Sequence, residues 1–209
     1  MVVHYLCWPV DPLERLRLHL SRMLGYCGDL FGRSAHPGRQ EEEHLRRPSD
    51  LMTADIPNAL KLLNDSRHMI DGSRRGVDLY ARVLGGVMDL LPVLATLRRS
   101  SAEADRNHAL KIFLDALSEV NQQIARVFNL LRDELTSFSS LDTVQRVRDI
   151  ETAFHSCVED FRRNQKTLSE DAASVATLAA AHEGIVRLLG YLKEISEATE
   201  ALREFDSRR

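Results

Sequence analysis

The chain has 209 residues, of which 44% are hydrophobic and 28% are charged, so it is long and apolar enough to bury one sizeable core. It contains only 10 glycines and 6 prolines, which excludes the composition of a disordered or fibrous protein. The net charge of −3 and the pI near 6.2 argue against nucleic acid as a partner, because a nucleic-acid-binding protein usually carries a basic face.

Residues 1–10, MVVHYLCWPV, are apolar and aromatic and differ abruptly from the amphipathic sequence that follows. Tyrosine and tryptophan settle at the membrane–water interface, and arginines accumulate just cytoplasmic of a membrane span. We therefore predict that residues 1–10 are the stump of a membrane-spanning helix that exits towards anionic lipid headgroups. The residues assigned to the membrane interface are Tyr5, Trp8, Pro9, Arg15 and Arg17. The alternative is an extended arm that packs Trp8 against the end of a helical bundle.

A first amphipathic helix is predicted directly after this segment. Asp11 is a suitable N-cap, and Pro12 suits the first helical position, where a missing N–H costs nothing. The helix is expected to reach Phe31, within a connecting region of residues 11–31. Its apolar residues recur every three or four positions and so form one stripe, composed of Leu13, Leu16, Leu20, Met23, Leu24, Cys27 and Phe31.

Residues 32–49 contain the helix stops Gly32, Pro37 and Gly38 and then a run of charges, which predicts a flexible linker. The bundle domain is expected over residues 50–209. Apolar periodicity predicts five helices in it, at 50–71, 74–98, 102–136, 141–166 and 170–205. The residues expected to face inward include Leu60, Phe113, Phe161, Val175 and His182. Pro92 is expected to kink its helix.

No run of alternating β-branched residues bounded by turns occurs, so no sheet is expected. The predicted fold class is all-α, a bundle of about six long amphipathic helices with antiparallel neighbours. Gly85 and Gly86 lie within an apolar stripe, where small residues usually let a neighbouring helix approach closely. Cys27 and Cys157 are expected to be small apolar core residues rather than reactive thiols.

One weak candidate for a metal site lies on the predicted fifth helix. Glu151, His155 and Glu159 follow one another at intervals of four residues and so share a helix face. The alternative is an exposed, solvated face, and no second ligand motif accompanies the three residues. No nucleophile motif, phosphate-binding loop or dinucleotide-binding fingerprint is found. We therefore predict no enzyme, no metal and no cofactor.

The three cysteines are widely spaced and form no CxxC pair, as expected for a protein in a reducing compartment. The stretch VVHYLCWPVDPLERLRLHLSRML, with Trp8, Pro9, Leu13, Leu16 and Leu20 at the matching positions, resembles the exit from the membrane in the fusaric acid resistance and aromatic acid exporter family. In that family a hydrophobic span ends in a Trp-Pro pair, followed by an amphipathic helix rich in Leu and Arg. A soluble region of long helices comes next.

The resemblance implies the cytoplasmic helical portion of an efflux transporter for aromatic carboxylic acids or related toxic compounds. It implies a location at the cytoplasmic face of the inner (plasma) membrane and a structural or regulatory role, since the chain holds none of the family's transport spans. The implied partners are the membrane-spanning part of the transporter, anionic lipid headgroups and further copies in a homo-oligomer. The alternative is a free-standing cytosolic helical adaptor like the PhoU bundles, although the acidic signature of those proteins is not repeated here.

Overall fold

The computed structural model describes residues 11–34, 41–67, 74–103, 108–137, 141–164 and 172–206. These residues form helices and no strand, which confirms the predicted all-α class. Seven helices cover them, and we number the helices in chain order. They are α1 (Pro12–Ser34), α2 (Glu41–Arg67), α3 (Arg74–Glu103), α4 (His108–Ala116), α5 (Ser118–Ser137), α6 (Thr143–Asn164) and α7 (Ala172–Asp206).

The start of α1 follows the sequence prediction. The Leu13 N–H donates a hydrogen bond of 2.9 Å to Asp11 Oδ1, so Asp11 caps the helix. The predicted apolar stripe of α1 also packs in the core: Leu13 is partly buried against it, and the other six residues are buried. Fully burying one such side chain stabilises a fold by about 1.5–3 kcal/mol. α1 is therefore an integral helix of the bundle.

The predicted linker at 32–49 is wrong for most of its length. α1 continues to Ser34 and α2 begins at Glu41, so only 35–40 lie outside the described residues. In the sequence, glutamates at 42 and 43 precede arginines at 46 and 47 by four positions, the spacing and order that stabilise a helix. The charge run is therefore compatible with an exposed helix as well as with a loop.

The predicted fourth helix is interrupted at Leu117, where α4 ends and α5 begins after one residue. The Leu117 N–H bonds both Phe113 O at 3.1 Å and Leu114 O at 3.2 Å, a bifurcated arrangement that tightens the turn. Leu117 itself is fully buried, and so the apolar stripe continues across the break. Apolar periodicity alone does not reveal such a break.

Three helix pairs have the most extensive contacts: α3 with α7, α1 with α5 and α1 with α2. Between α1 and α5, the rings of Phe31 and Phe128 stack with centroids 5.8 Å apart. Two of the predicted core residues are instead exposed, since Leu60 is 43% and Val175 53% accessible. Leu60 follows the fully buried Ala59 on the solvent side of α2.

Within α3, the stretch Arg74–Leu97 is, by length and composition, apolar enough to cross a membrane, with a mean hydropathy of 1.4. In the structure 44% of its most apolar window is buried, and the main partner of α3 is α7. A core helix of a bundle has the same composition, so this stretch is weak evidence for a span. Pro92 lies inside α3, and the kink expected there stays a prediction.

Close approach of α3 and α7 depends on one of the two neighbouring glycines. A methyl group on Gly86 would lie 2.7 Å from Ile195 Cγ1, whereas one on Gly85 would meet no described atom within 4 Å. The predicted role of small residues in helix approach is thus confirmed for Gly86 alone. Gly76 and Gly184 repeat the pattern, with added methyl groups 3.0 Å from Phe205 and Leu97, respectively.

Candidate functional site

The candidate metal ligands on α6 do not come together. His155 and Glu159 are exposed and Glu151 is half-buried. Glu159 Oε1 instead accepts a hydrogen bond of 3.3 Å from Arg162 Nη1. In the part of the chain that the structure describes, no three His, Cys, Asp or Glu side chains are placed to hold a metal ion. An exposed, solvated helix face accounts for the spacing.

Of the predicted membrane-interface residues, Tyr5, Trp8 and Pro9 lie outside the described residues. Arg15 is exposed on the first turns of α1. Arg17 is largely covered, with 19% of its side chain accessible, and its Nη2 lies 3.9 Å from Glu14 Oε1. The two arginines are therefore presented to solvent to very different degrees.

Charged groups of α7 and of the start of α1 act on a buried tyrosine near the start of α3. Tyr80 of α3 is 5% exposed, and burial raises the pKa of its hydroxyl to about 12. Among the charges that act on this pKa, Asp206 raises it, Arg17 lowers it and Asp11 raises it. Charges from both ends of the described chain thus act on one buried phenol.

The most deeply buried charged group among the described residues is Glu134, near the end of α5. Its side chain is 2% exposed. Thr143 at the start of α6 donates a hydrogen bond of 2.9 Å to Glu134 Oε2, and Arg203 Nη1 of α7 lies 3.7 Å from Oε1. The carboxyl group thereby joins three helices at one point.

Burial raises the pKa of Glu134, and the hydrogen bond from Thr143, the charge of Arg203 and the backbone of Leu141 only partly oppose it. Asp142, between Leu141 and Thr143, has a φ of 55°, a left-handed conformation that aspartate tolerates better than most residues. The turn from α5 to α6 therefore presents both donors to Glu134. We interpret this cluster as a structural junction.

A groove of about 620 Å³ lies between α4, α6 and α7, within the size range of small-molecule sites. Its lining is mainly apolar, and the rings of Phe113 and Phe161 meet there edge to face with centroids 5.0 Å apart. The polar side chains of the lining are Arg162, His182 and Glu183. We call this feature the α4–α6–α7 groove; it combines an apolar interior with a few polar groups.

His182 was predicted on the inward stripe of the last helix, and the structure places it half-buried in the wall of the groove. Its ring lies 5.5 Å from that of the buried Phe154, measured between centroids. Burial is the main cause that lowers the pKa of His182; Arg162 and His155 lower it further, and Glu183 opposes them. The neutral imidazole is thus favoured, and it can donate or accept a hydrogen bond.

Both described cysteines are reduced. Cys27 is fully buried, and its Sγ lies 3.5 Å from Met52 Sδ. Burial raises the pKa of the Cys27 thiol to about 12 and also raises the pKa of the half-buried Cys157. The prediction that Cys27 is an apolar core residue is confirmed, and Cys157 packs at the edge of the same core.

Sequence reasoning did not identify Glu134 or the groove. A signal for Glu134 was present, because it follows Val127 by seven residues and Leu131 by three and so shares their buried stripe. The groove has no comparable signal, since Phe113, Arg162 and His182 belong to three different helices. Comparison with known proteins gives no match: no family model matches the chain, and neither does any curated protein or solved structure.

Proposed function

We propose that the chain is the cytoplasmic helical domain of a membrane efflux transporter that exports aromatic carboxylic acids or related toxic compounds. Its role there is structural and regulatory, and its place is the cytoplasmic face of the inner membrane. The residue pattern from Val2 to Leu24 and its resemblance to the exporter family support this proposal. The domain itself contributes no transport pathway.

One structural observation carries the proposal. α1 begins at Pro12 with Asp11 as its cap, and its apolar stripe is part of the bundle core. Only Asp11 therefore separates the segment 1–10 from the first packed helix. A membrane-embedded segment at 1–10 would hold the bundle directly against the membrane surface, where Arg15 is exposed to meet anionic headgroups.

The arrangement of helix pairs fits a domain held at one end. We infer that α1 runs antiparallel to α5, because Ser21 Oγ donates a hydrogen bond of 3.3 Å to Arg132 O while Phe31 stacks on Phe128. For α3 and α7 the contacts pair Gly76 with Phe205 and Leu97 with Gly184. The starts of α1 and α3 and the end of α7 then share the end of the bundle nearest to residues 1–10.

Assembly with the membrane-spanning part and with further copies of the chain belongs to the same proposal. Six large hydrophobic side chains are exposed on the described surface and are available for such contacts. They are Leu18, Leu51, Leu60, Ile112, Val175 and Val186. Light scattering of the purified chain measures the number of copies, and a monomer at all concentrations would contradict the homo-oligomer.

The single tryptophan of the chain, Trp8, allows a direct test. Its fluorescence is recorded on the full chain before and after addition of vesicles of phosphatidylglycerol and phosphatidylethanolamine. We expect the emission to shift to the blue and to be quenched by brominated lipids, because an interfacial indole leaves water. Emission that is already blue-shifted in buffer and unchanged by vesicles would show that Trp8 packs against the bundle, which contradicts the proposal.

Two variants separate headgroup binding from general charge effects. Arg15→Gln should weaken binding to the anionic vesicles by roughly fivefold, since one basic residue near such a surface contributes about 1 kcal/mol. Arg126→Gln removes an equally exposed arginine from α5, next to Ala125, which faces the distal end of α1 at Gly32. It should leave binding unchanged. Recovery of the native gene product from the soluble fraction of its own cells would favour the free-standing adaptor.

A further inference from the structure

The α4–α6–α7 groove is built like a small-molecule site. Phe113 and Phe161 are buried to 2% and 7% exposure, and their edge-to-face contact presents aromatic surface to the groove. Val158 and Leu178 extend the apolar lining. An apolar ring or chain placed here leaves water and gains about 25 cal/mol for each Å² of apolar area that becomes buried.

The charged groups of the lining differ in what they offer to a ligand. Glu183 Oε1 accepts a hydrogen bond of 2.8 Å from Arg187 Nε on the outer side of α7, so its charge is already compensated. Arg162 Nη1 donates a hydrogen bond of 3.3 Å to Glu159 Oε1. A guanidinium carries five N–H donors in a fork that fits a carboxylate, so Arg162 can bind a second acid group.

We propose that the α4–α6–α7 groove binds a small amphipathic anion, with its apolar body against Phe113, Phe161 and Leu178 and its single acid group on the guanidinium of Arg162. His182 of α7, which also lines the groove, supplies a hydrogen bond to the acid group. The site requires neither the membrane nor residues 1–10. It therefore goes beyond the proposed function, and its test is independent of vesicle binding.

The probe is 2-naphthoate, an apolar ring system with one carboxylate, and its uncharged counterpart is 2-naphthalenemethanol. Binding of each to the full chain is measured by equilibrium dialysis up to about 1 mM, where weak small-ligand binding becomes detectable. We expect 2-naphthoate to bind more tightly than the alcohol. Arg162→Gln should weaken the binding of 2-naphthoate by roughly threefold to tenfold, as for a partly exposed charge-assisted contact. It should leave the binding of the alcohol unchanged.

Two matched controls locate the site. Arg163→Gln removes the neighbouring arginine, which is paired with Asp160 at 3.7 Å and lies outside the groove lining, and it should change neither affinity. Ala179→Trp fills the groove and should abolish binding of both compounds, whereas Ala180→Trp on the adjacent exposed position should not. Circular dichroism verifies that each variant is folded.

Several results would overturn the site. Absence of 2-naphthoate binding up to the highest concentration is one. Equal affinity for the acid and the alcohol would show that Arg162 does not bind the acid group. Equal losses of 2-naphthoate affinity in Arg162→Gln and Arg163→Gln would show the same. Binding that persists in a folded Ala179→Trp variant would place the compound elsewhere on the protein.

Discussion

The hydroxyl group of Thr143 donates a hydrogen bond of 2.9 Å to the buried carboxyl group of Glu134, nine residues earlier in the chain. This bond links the end of α5 to the first residue of α6. Arg203 reaches the other carboxyl oxygen from α7 at 3.7 Å, so the contact also fixes the end of the last helix. Three helices of the bundle are thereby connected through one polar group in an apolar setting.

Thr143→Val keeps the shape of this side chain and removes the donor. Because Glu134 then loses a partner without returning to water, we expect the free energy of unfolding to fall by about 1–3 kcal/mol. Urea denaturation measures the change. Thr152→Val is the control, since that hydroxyl donates to Arg148 O on the exposed side of α6, and it should have little effect. Equal losses of unfolding free energy in the two variants would contradict the structural role of the bond between Thr143 and Glu134.

Glu134→Gln tests the charge of the same group. Burial raises the folded-state pKa of Glu134 above its unfolded value, so the folded state binds the proton more tightly. Glu134 therefore favours folding most at low pH, and this contribution declines as the pH rises from the unfolded value, about 4.3, through the folded-state pKa. The stability of Glu134→Gln relative to wild type should improve over that range. A relative stability that falls with rising pH would show that ionised Glu134 is net stabilising.

The apolar stripe of α1 and the continuous stripe that α4 and α5 share were predictable from sequence because each repeats over many turns and each buries the predicted side. The predicted burial of Val175 was wrong because periodicity assigns a face to a helix but does not say where its partner helix ends. The predicted start of the second helix, at residue 50, was wrong because a run of charges is compatible with a helix as well as with a loop. A pattern within one helix thus predicts the core better than it predicts boundaries.

The groove is a property of neighbouring helices rather than of any one of them. Phe113 and Phe161 were both expected in the core, and they are buried there. That their rings meet beside His182 depends on how α4, α6 and α7 pack, and no single-helix pattern specifies this. Glu134 differs, since a carboxylate on an apolar stripe is visible in the sequence and indicates a buried polar contact.

His182→Gln should change the pH dependence of stability. The folded-state pKa of His182 is lowered, mainly by burial, so the unfolded state binds the proton more readily. The histidine therefore costs stability as the pH falls from about 6.5 through the folded-state pKa, and the variant should lose less stability than wild type over that range. His108→Gln, at an exposed position that begins α4, is the control. An NMR titration that gives His182 a pKa above 6.5 would contradict the predicted direction of the pKa shift.

Cys27 should be protected from thiol reagents in the folded protein. It is fully buried, and its raised pKa of about 12 leaves almost no thiolate at neutral pH. Alkylation with iodoacetamide, resolved by mass spectrometry, should label Cys157 before Cys27, which should react only as the protein unfolds. Cys27→Ser should cost about 1–3 kcal/mol, since a hydroxyl is harder to bury than a thiol. Rapid native labelling of Cys27 would contradict its core position.

Gly86 and Gly85 provide a matched pair of substitutions within one turn of α3. A methyl group at Gly86 meets Ile195 Cγ1 at 2.7 Å, so Gly86→Ala must displace the Ile195 side chain or move α3 away from α7, and it should destabilise the protein by about 1–3 kcal/mol. At Gly85 the space is open, and Gly85→Ala should stabilise the helix by about 0.5–1 kcal/mol because alanine loses less backbone entropy on folding. Urea denaturation of both variants measures whether the free energy of unfolding falls in Gly86→Ala and rises in Gly85→Ala. Ile195→Ala removes Cγ1, so if it costs less stability in the Gly86→Ala background than in wild type, the cause is the contact with Ile195 rather than a general intolerance of α3 to alanine. Equal effects at the two glycines would refute the close packing of α3 on α7.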